Sequence, residues 1–507
     1  MRSRLNGLQE QREHLCARLV EPTVVGVVTA LVAAYWATSS ILIHRAFHSN
    51  GWDLGLLHQV LWNSARGRLF DYSFRDISYA GDHWQPFLLT LAPLEWLQGG
   101  PEGLLIVQAI FLAAAAIPLY AGARAVEVGR GGAAALAGAY LLGLGAARSV
   151  SFDFHIEAFA PLFAFTALWG LARGRRVVFV AAVLVILTLK EDGALLTLAL
   201  SWIGWFGFKE RLSAATAGVA TIYMFLATSV IIPYFRGADL NPFAERYGYL
   251  GDSPAGVLGG MATRPDLVLS QLARPEAALA IAIVLASVVL LPLLVPRLLP
   301  PLAMVTLLPL LSKGPAQGSL ELHYLLVPAT VAMAVAIIAA GDLARRGPSA
   351  LAGPLSAAIQ RIWPFLLLGV PALLWMLGSP LPPSFAADLD RFDVDHHASV
   401  AQKFIREIPA GAIVSAQSPF VPHLSERRKL YQFPRVLDAE FVLLDGAGAV
   451  PADDLAAGYA ACLAALPRLG FEETDREDEI SLWRKVRPAE SVPEVPVACS
   501  GQRPGGP

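Results

Sequence analysis

The sequence predicts an α-helical polytopic membrane protein with about eleven transmembrane helices and a small α/β domain near its C-terminal end. Three observations predict this. Of 507 residues, 55% are hydrophobic and only 16% charged, against about a quarter charged in ordinary soluble domains; the mean hydropathy is +0.52. The apolar residues recur in runs of roughly 16–23, the length that carries a helix across, or nearly across, the hydrocarbon core. Past Pro380 these runs shrink to strand size, and acids and bases return.

Arg2, Arg4, Arg12 and Arg18 precede the first apolar run, so residues 1–21 are expected in the cytoplasm. The run over 22–43 is too long for a signal-peptide core and reads as an uncleaved anchor. A long polar loop, 44–102, then lies outside. Within it, 87–97 is apolar but too short to cross and is expected to lie as a helix in the interface. Further spans are expected over 103–123, 132–147, 156–172, 177–189, 193–208, 213–234, 276–295, 298–311, 323–340 and 362–377. The intervening basic residues test this arrangement. Arg124, Arg130, Arg173, Arg175, Arg176, Lys209, Arg211, Arg297, Arg345, Arg346 and Arg361 all fall inside. The short outer connections hold only Arg148, Lys190 and Lys313. Merging 177–189 with 193–208 would bury Lys190, Glu191 and Asp192 at mid-membrane, so two short spans joined by a tight outer turn are preferred.

Residues 22–378 thus form the membrane domain, and 379–487 an extracytoplasmic α/β domain. Strands are expected at 413–417, 429–433, 440–445 and 480–486, with a helix at 455–466. The Pro/Gly-rich tail 488–507 is expected to be disordered. Cys16, Cys462 and Cys499 have no metal-type spacing. A Cys462–Cys499 disulfide and a pair of free thiols both remain open. The net charge of −2 carries no footprint of nucleic-acid binding.

With this topology, the acidic and histidine clusters gather at one membrane face. Asp53 follows the first span among Trp52 and Leu54; it suits a helix cap or a general base shielded by apolar neighbours. Asp82 and His83 suit a turn, a phosphate contact or a metal ligand. Asp153 and Glu157 are four apart and would share a face if a helix begins near Asp153, giving a divalent-metal or sugar-hydroxyl site with His155 as a further ligand. Lys190, Glu191 and Asp192 must meet water, one another or a partner cluster; Lys190 is a natural phosphate contact. His323 opens a span beside Tyr324, which suits an interfacial anchor.

The set WDLGLLHQVLW, GDHWQPFLLTLAPL, SFDFHIEAFAP, LKEDGALL, VIIPYF, HYLLVPA and VSAQSPFVPHLSERRKLYQFP resembles a bacterial membrane-protein family known as domain of unknown function 2079. The resemblance runs in order from about Asp53 to beyond Asp445. That family looks like a branch of the C-type glycosyltransferases, multi-span enzymes that use polyprenyl-phosphate sugar donors on the outer face. The resemblance implies a carboxylate in the first outer loop, matched by Asp53, and a second acidic motif, approximated by Asp153 and Glu157. The paired acids usual in the first loop are absent, since Leu54 and Gly55 follow Asp53.

The expectation is an inverting sugar transfer from a polyprenyl-phosphate donor to a glycan, lipid or protein acceptor outside the plasma membrane. Asp53 or its rival Asp82 is the base; His83, His155, Lys190, Glu191, Asp192, His323 and Tyr324 bind phosphate or substrate. A divalent cation, Mg or Mn, is expected at Asp153 and Glu157 if metal takes part. The alternatives are a transporter or flippase and a non-catalytic envelope scaffold.

Overall fold

The protein is described by a computed structural model covering residues 2–97, 99–237, 246–346, 354–447, 454–488 and 499. Its first helix runs unbroken over Arg2–Arg45, and its apolar part, Thr23–Arg45, is long enough to cross a membrane. Gly100–Ala125, Arg130–Ser151, Leu212–Arg236 and Pro315–Arg345 also meet that length. Pro265–Leu272 and Pro275–Ala286 join them if this pair, bent by 70°, is taken as one span. Five shorter apolar helices stand at the other expected positions: Ile156–Ala172, Arg176–Leu189, Gly193–Phe208, Pro296–Leu310 and Ile362–Gly378. Helices thus occupy the eleven expected segments, while length and composition alone give five crossings, or six with the bent pair.

Burial orders these helices. In Pro315–Arg345, 83% of the apolar window is enclosed by protein, against 22% in Thr23–Arg45 and in Leu212–Arg236. The small residues Ala332, Ala334, Ala336, Ala339 and Ala340 let neighbouring backbones approach this central helix closely. Two connections at one end of the helices are irregular. Between Arg130–Ser151 and the next helix the chain is extended at His155, makes a 3-10 turn over Ile156–Phe159, and becomes α-helical only at Ala160, where Pro161 suits a first helical turn. Between Arg176–Leu189 and Gly193–Phe208, Lys190 is extended and the chain reverses within three residues.

The C-terminal region folds as a five-stranded mixed sheet. β1 (Val414–Ala416), β2 (Leu430–Gln432), β3 (Phe441–Asp445), β4 (Phe471–Glu477) and β5 (Ile480–Lys485) lie in the order β2-β1-β3-β5-β4. β1 pairs parallel with β2 and β3; β5 pairs antiparallel with β3 and β4. The helix Asp454–Ala465 matches expectation. Cys462 and Cys499 form a disulfide, with Cα atoms 5.2 Å apart, which resolves the alternative left open by the sequence. The expected disordered tail lies outside the described residues, apart from Pro488 and Cys499.

One expectation is corrected, and two further elements had no counterpart in the sequence reading. Segment 87–97 is not one interfacial helix: it is a 3-10 turn, Pro86–Leu91, followed by a single α-turn, Pro93–Trp96. Pro93 has no N–H to donate, which breaks the run. A helix over His396–Glu407 was not anticipated; Asp395 caps it by accepting the Ala398 N–H. Strand β4 was not anticipated either. It joins β5 through Asp478 and Glu479, both at positive φ, a turn usually signalled by Asn-Gly or Asp-Gly.

Candidate active site

Asp53 sits on a turn held from two sides. Asn50 accepts the Trp52 N–H at 3.0 Å, and residues Gly51–Gly55 form one π-helical turn leading into the helix Leu56–Ser64. Such wide turns recur at functional sites. From the membrane-helix side, Asp153 accepts the Asn50 N–H at 2.8 Å. From the C-terminal side, Ser418 accepts the Gly51 N–H and donates to Asn50 Oδ1, each at 3.0 Å. Glycine is required here by contact. A Cβ at Gly51 would lie 2.4 Å from Gln432 Oε1, and one at Gly55 would lie 2.8 Å from Val421 Cγ1. The turn that presents Asp53 is therefore moulded against residues 418–432.

Asp53 faces a cavity of about 230 Å³. Of the residues singled out in the sequence, Asp82, His83, His155, Glu157, Lys190, His323 and Tyr324 line it too. With Asp53 they come from four segments, the first and last residues 271 positions apart. Asp153, Glu191 and Asp192 are not in its wall. Asp153 and Glu191 are buried, Asp153 against the Asn50 N–H and Glu191 against His83 of the wall. Glu191 takes His83 Nδ1 at 2.8 Å and the Trp84 N–H at 3.0 Å. Five further polar or aromatic wall residues were missed: Trp52, Arg75, Tyr79, Gln85 and Arg246. Arg75 belongs to the same loop as Asp53, but no spacing in the sequence ties one to the other.

Inside the cavity, His155 Nε2 stands 3.3 Å from Asp53 Oδ1, an ion-pair separation without hydrogen-bond alignment. The His155 and His323 rings stack with centroids 3.8 Å apart, and Phe152 lies alongside the pair, its centroid 5.3 Å from His155 and 6.1 Å from His323. The buried Nδ1 atoms of both histidines have no hydrogen-bond partner in the protein. Lys190 Nζ donates to Glu157 Oε1 at 2.5 Å. Arg75 donates to Asp82 Oδ1 at 2.9 Å, and Arg236 approaches the same oxygen at 3.6 Å while donating to Gly81 O. Tyr79 donates to Gln85 Oε1 at 2.9 Å.

Burial and neighbouring charge set the protonation states at this end of the bundle. Burial, reinforced by nearby Asp53, pushes the Asp153 carboxyl up to about 8, so near neutral pH it is mostly protonated. Burial would lower His155; the Asp53 carboxylate, with Glu157 and Asp153, outweighs it and raises the imidazole. Burial would also lower Lys190, but Glu157, Asp192 and Glu191 hold it well above the ordinary lysine range. Glu191 is lowered despite its burial, chiefly by His83.

The expected cation site does not assemble as the sequence suggested. Asp153 has φ +48° and the α-helix starts only at Ala160, so Asp153 and Glu157 do not share a helical face. One receives a backbone N–H; the other receives an ammonium, which repels a cation. Among the described residues, no group of three or more His, Cys, Asp or Glu side chains is placed to hold a metal ion.

Solved structures that resemble the chain include ArnT from Cupriavidus metallidurans bound to undecaprenyl phosphate and the same protein in the apo state. The first is 15% identical with a TM-score of 0.47, the second 13% identical with a TM-score of 0.43; each likeness covers 91% of this chain and 98% of the other. No curated protein matches the chain. The family profile described as "Predicted membrane protein (DUF2079)" matches residues 43–449, which takes in the turn bearing Asp53, every wall of the cavity and the segment 418–432 that packs against it. The chain belongs to the DUF2079 family of membrane proteins.

Proposed function

We propose that this protein transfers a sugar, with inversion, from a polyprenyl-phosphate donor to a hydroxyl of a glycan, lipid or protein acceptor. The transfer takes place at the outer face of a bacterial plasma membrane, with the N-terminus in the cytoplasm and the C-terminal sheet outside. One observation carries the reading: a carboxylate with a buried histidine beside it, Asp53 with His155, shares a 230 Å³ cavity with Lys190, Arg75 and Arg246. A base facing a cluster of cations is what transfer between a hydroxyl and a phosphate leaving group requires.

Asp53 takes the proton of the acceptor hydroxyl, whose oxygen attacks the anomeric carbon. The bond from that carbon to the phosphate oxygen breaks, and polyprenyl phosphate leaves with the electron pair. Lys190, held protonated, and the two guanidinium groups offset the charge that develops on the phosphate. Asp82 was the rival base. Its Oδ1 is engaged by Arg75 and approached by Arg236, so its part is to orient those cations. His83, fixed by Glu191, and the stacked pair His155 and His323 offer ring nitrogens to sugar hydroxyls. The exposed Trp96 and Leu97, each over 70% accessible, offer apolar surface to the prenyl chain. No step is routed through a cation, because Asp153 and Glu157 are committed elsewhere.

The test is transfer from a labelled polyprenyl-phosphate sugar by the purified protein. Activity is expected from the wild type; full activity in Asp53→Ala would overturn the assignment of the base.

A further inference from the structure

A second, larger cavity of about 790 Å³ lies beside the first, within the range of roughly 300–1,000 Å³ typical of small-molecule sites. Its walls come from three places: the loop 69–78, the end of the Leu212–Arg236 span, and β2 with its flanks in the C-terminal sheet. Five basic side chains, Arg75, Arg236, Arg428, Lys429 and Arg435, line it against three acidic ones, Asp71, Asp76 and Asp438. Four of the cations are met by carboxylates: Arg435 by Asp76, Lys429 by Asp438, and Arg75 and Arg236 both by Asp82. Tyr72 and Tyr431 add aromatic walls, and the buried Tyr72 hydroxyl has no hydrogen-bond partner. Guanidinium forks match carboxylate and phosphate oxygens, whereas wall carboxylates and a tyrosine hydroxyl match sugar hydroxyls.

The two cavities are joined through one group of side chains. Arg75 lines both. Asp82, in the wall of the first, holds Arg75 on one side and meets Arg236 of the second on the other. We propose that the second cavity binds an anionic saccharide, the acceptor of the transfer, and delivers its hydroxyl past Arg75 to Asp53. The proposal rests on the glycosyl-transfer reading and adds to it the charge class of the acceptor and the role of the C-terminal sheet as half of its binding site.

The experiment uses the full chain in phosphatidylcholine nanodiscs, titrated calorimetrically with tetragalacturonate and with neutral maltotetraose. Tetragalacturonate is expected to bind at least about tenfold more tightly, and Arg428→Glu, a change at an exposed side chain, to remove about tenfold of that affinity. Equal affinities for the two sugars, or an Arg428→Glu variant that binds as the wild type does, would overturn the proposal. So would binding of phosphatidylinositol phosphate in the nanodisc without binding of tetragalacturonate, which would mark a lipid-headgroup site instead. Polyprenyl-phosphate binding is measured in parallel. Lys190→Gln is expected to weaken it and to leave tetragalacturonate bound. Charge-dependent binding of tetragalacturonate by a protein that transfers no sugar would support the anionic site and overturn the proposed reaction, so the two failures are distinguishable.

Discussion

The Ser418 hydroxyl accepts the backbone N–H of Gly51 at 3.0 Å, joining residues 367 positions apart two residues before Asp53. The contact continues at Gly55, where an added Cβ would lie 2.8 Å from Val421 Cγ1 and 3.1 Å from the Pro422 nitrogen. Backbone cannot yield as a flexible side chain can. Gly55→Ala is therefore expected to cost about 1–3 kcal/mol of stability and to lower transfer more than it lowers donor binding. Ser418→Ala should be milder, about 1 kcal/mol. Thermal unfolding and transfer assays on both variants check the order; a Gly55→Ala protein with wild-type stability and rate would show that the turn is not held by this contact.

Asp53→Asn keeps the shape of the side chain and removes its basicity. Transfer is expected to fall by about 10²–10⁴-fold, with the affinity for polyprenyl phosphate unchanged. Rates measured at saturating donor separate these terms.

Lys190 and Glu157 are both largely enclosed, with side-chain exposures of 14% and 15%. Lys190→Gln would leave the Glu157 carboxylate buried without its counter-charge, at a cost of about 3–5 kcal/mol, and would weaken donor binding. Adding Glu157→Gln should recover most of the stability but not the binding. If the double variant bound polyprenyl phosphate as the wild type does, Lys190 would have no part in holding the phosphate.

Asp153 has a folded-state value of about 8 against 3.8 for the free side chain. Between those values the folded protein keeps a proton that the unfolded chain releases, so its contribution is full at acid pH and is lost as pH rises towards 8. Asp153→Asn retains an acceptor for the Asn50 N–H and cannot ionise. It should raise the unfolding temperature by roughly 2–4 °C at pH 8 and by less at pH 5. Equal shifts at both values would show that burial of this carboxyl has no energetic cost.

Much of the helical framework was legible because lipid leaves the backbone few options: a long apolar run must pair its own N–H and C=O groups, and basic residues mark one side. The four segments that line the cavity stood out for the same reason, as ionisable groups set among residues that exclude them. What could not be read was local backbone geometry. The spacing of Asp153 and Glu157 suits a helix, but left-handed φ at Asp153 and the 3-10 turn after it send the two side chains apart. Arg75 and Arg246 lie in polar loops, where an arginine draws no notice. Strand β4, FEETDRE, has burial confined mostly to Phe471, so it lacks the apolar alternation by which strands are recognised. The helix His396–Glu407, by contrast, buries Ala398, Val400, Ala401, Phe404 and Ile405, a helical spacing that was present to be read.

The moulding of the Asp53 turn against residues 418–432 also sets when, during synthesis, this protein becomes competent. The chain emerges from the ribosome and enters the bilayer from its N-terminal end, so Asp53 is made early. Ser418, Val421 and Gln432, which close around its turn, arrive only after the membrane helices are in place. A chain stalled or truncated anywhere in between would carry Asp53 and most of the cationic wall without the support that shapes its turn. Incomplete copies thereby lack the contacts that shape the Asp53 turn.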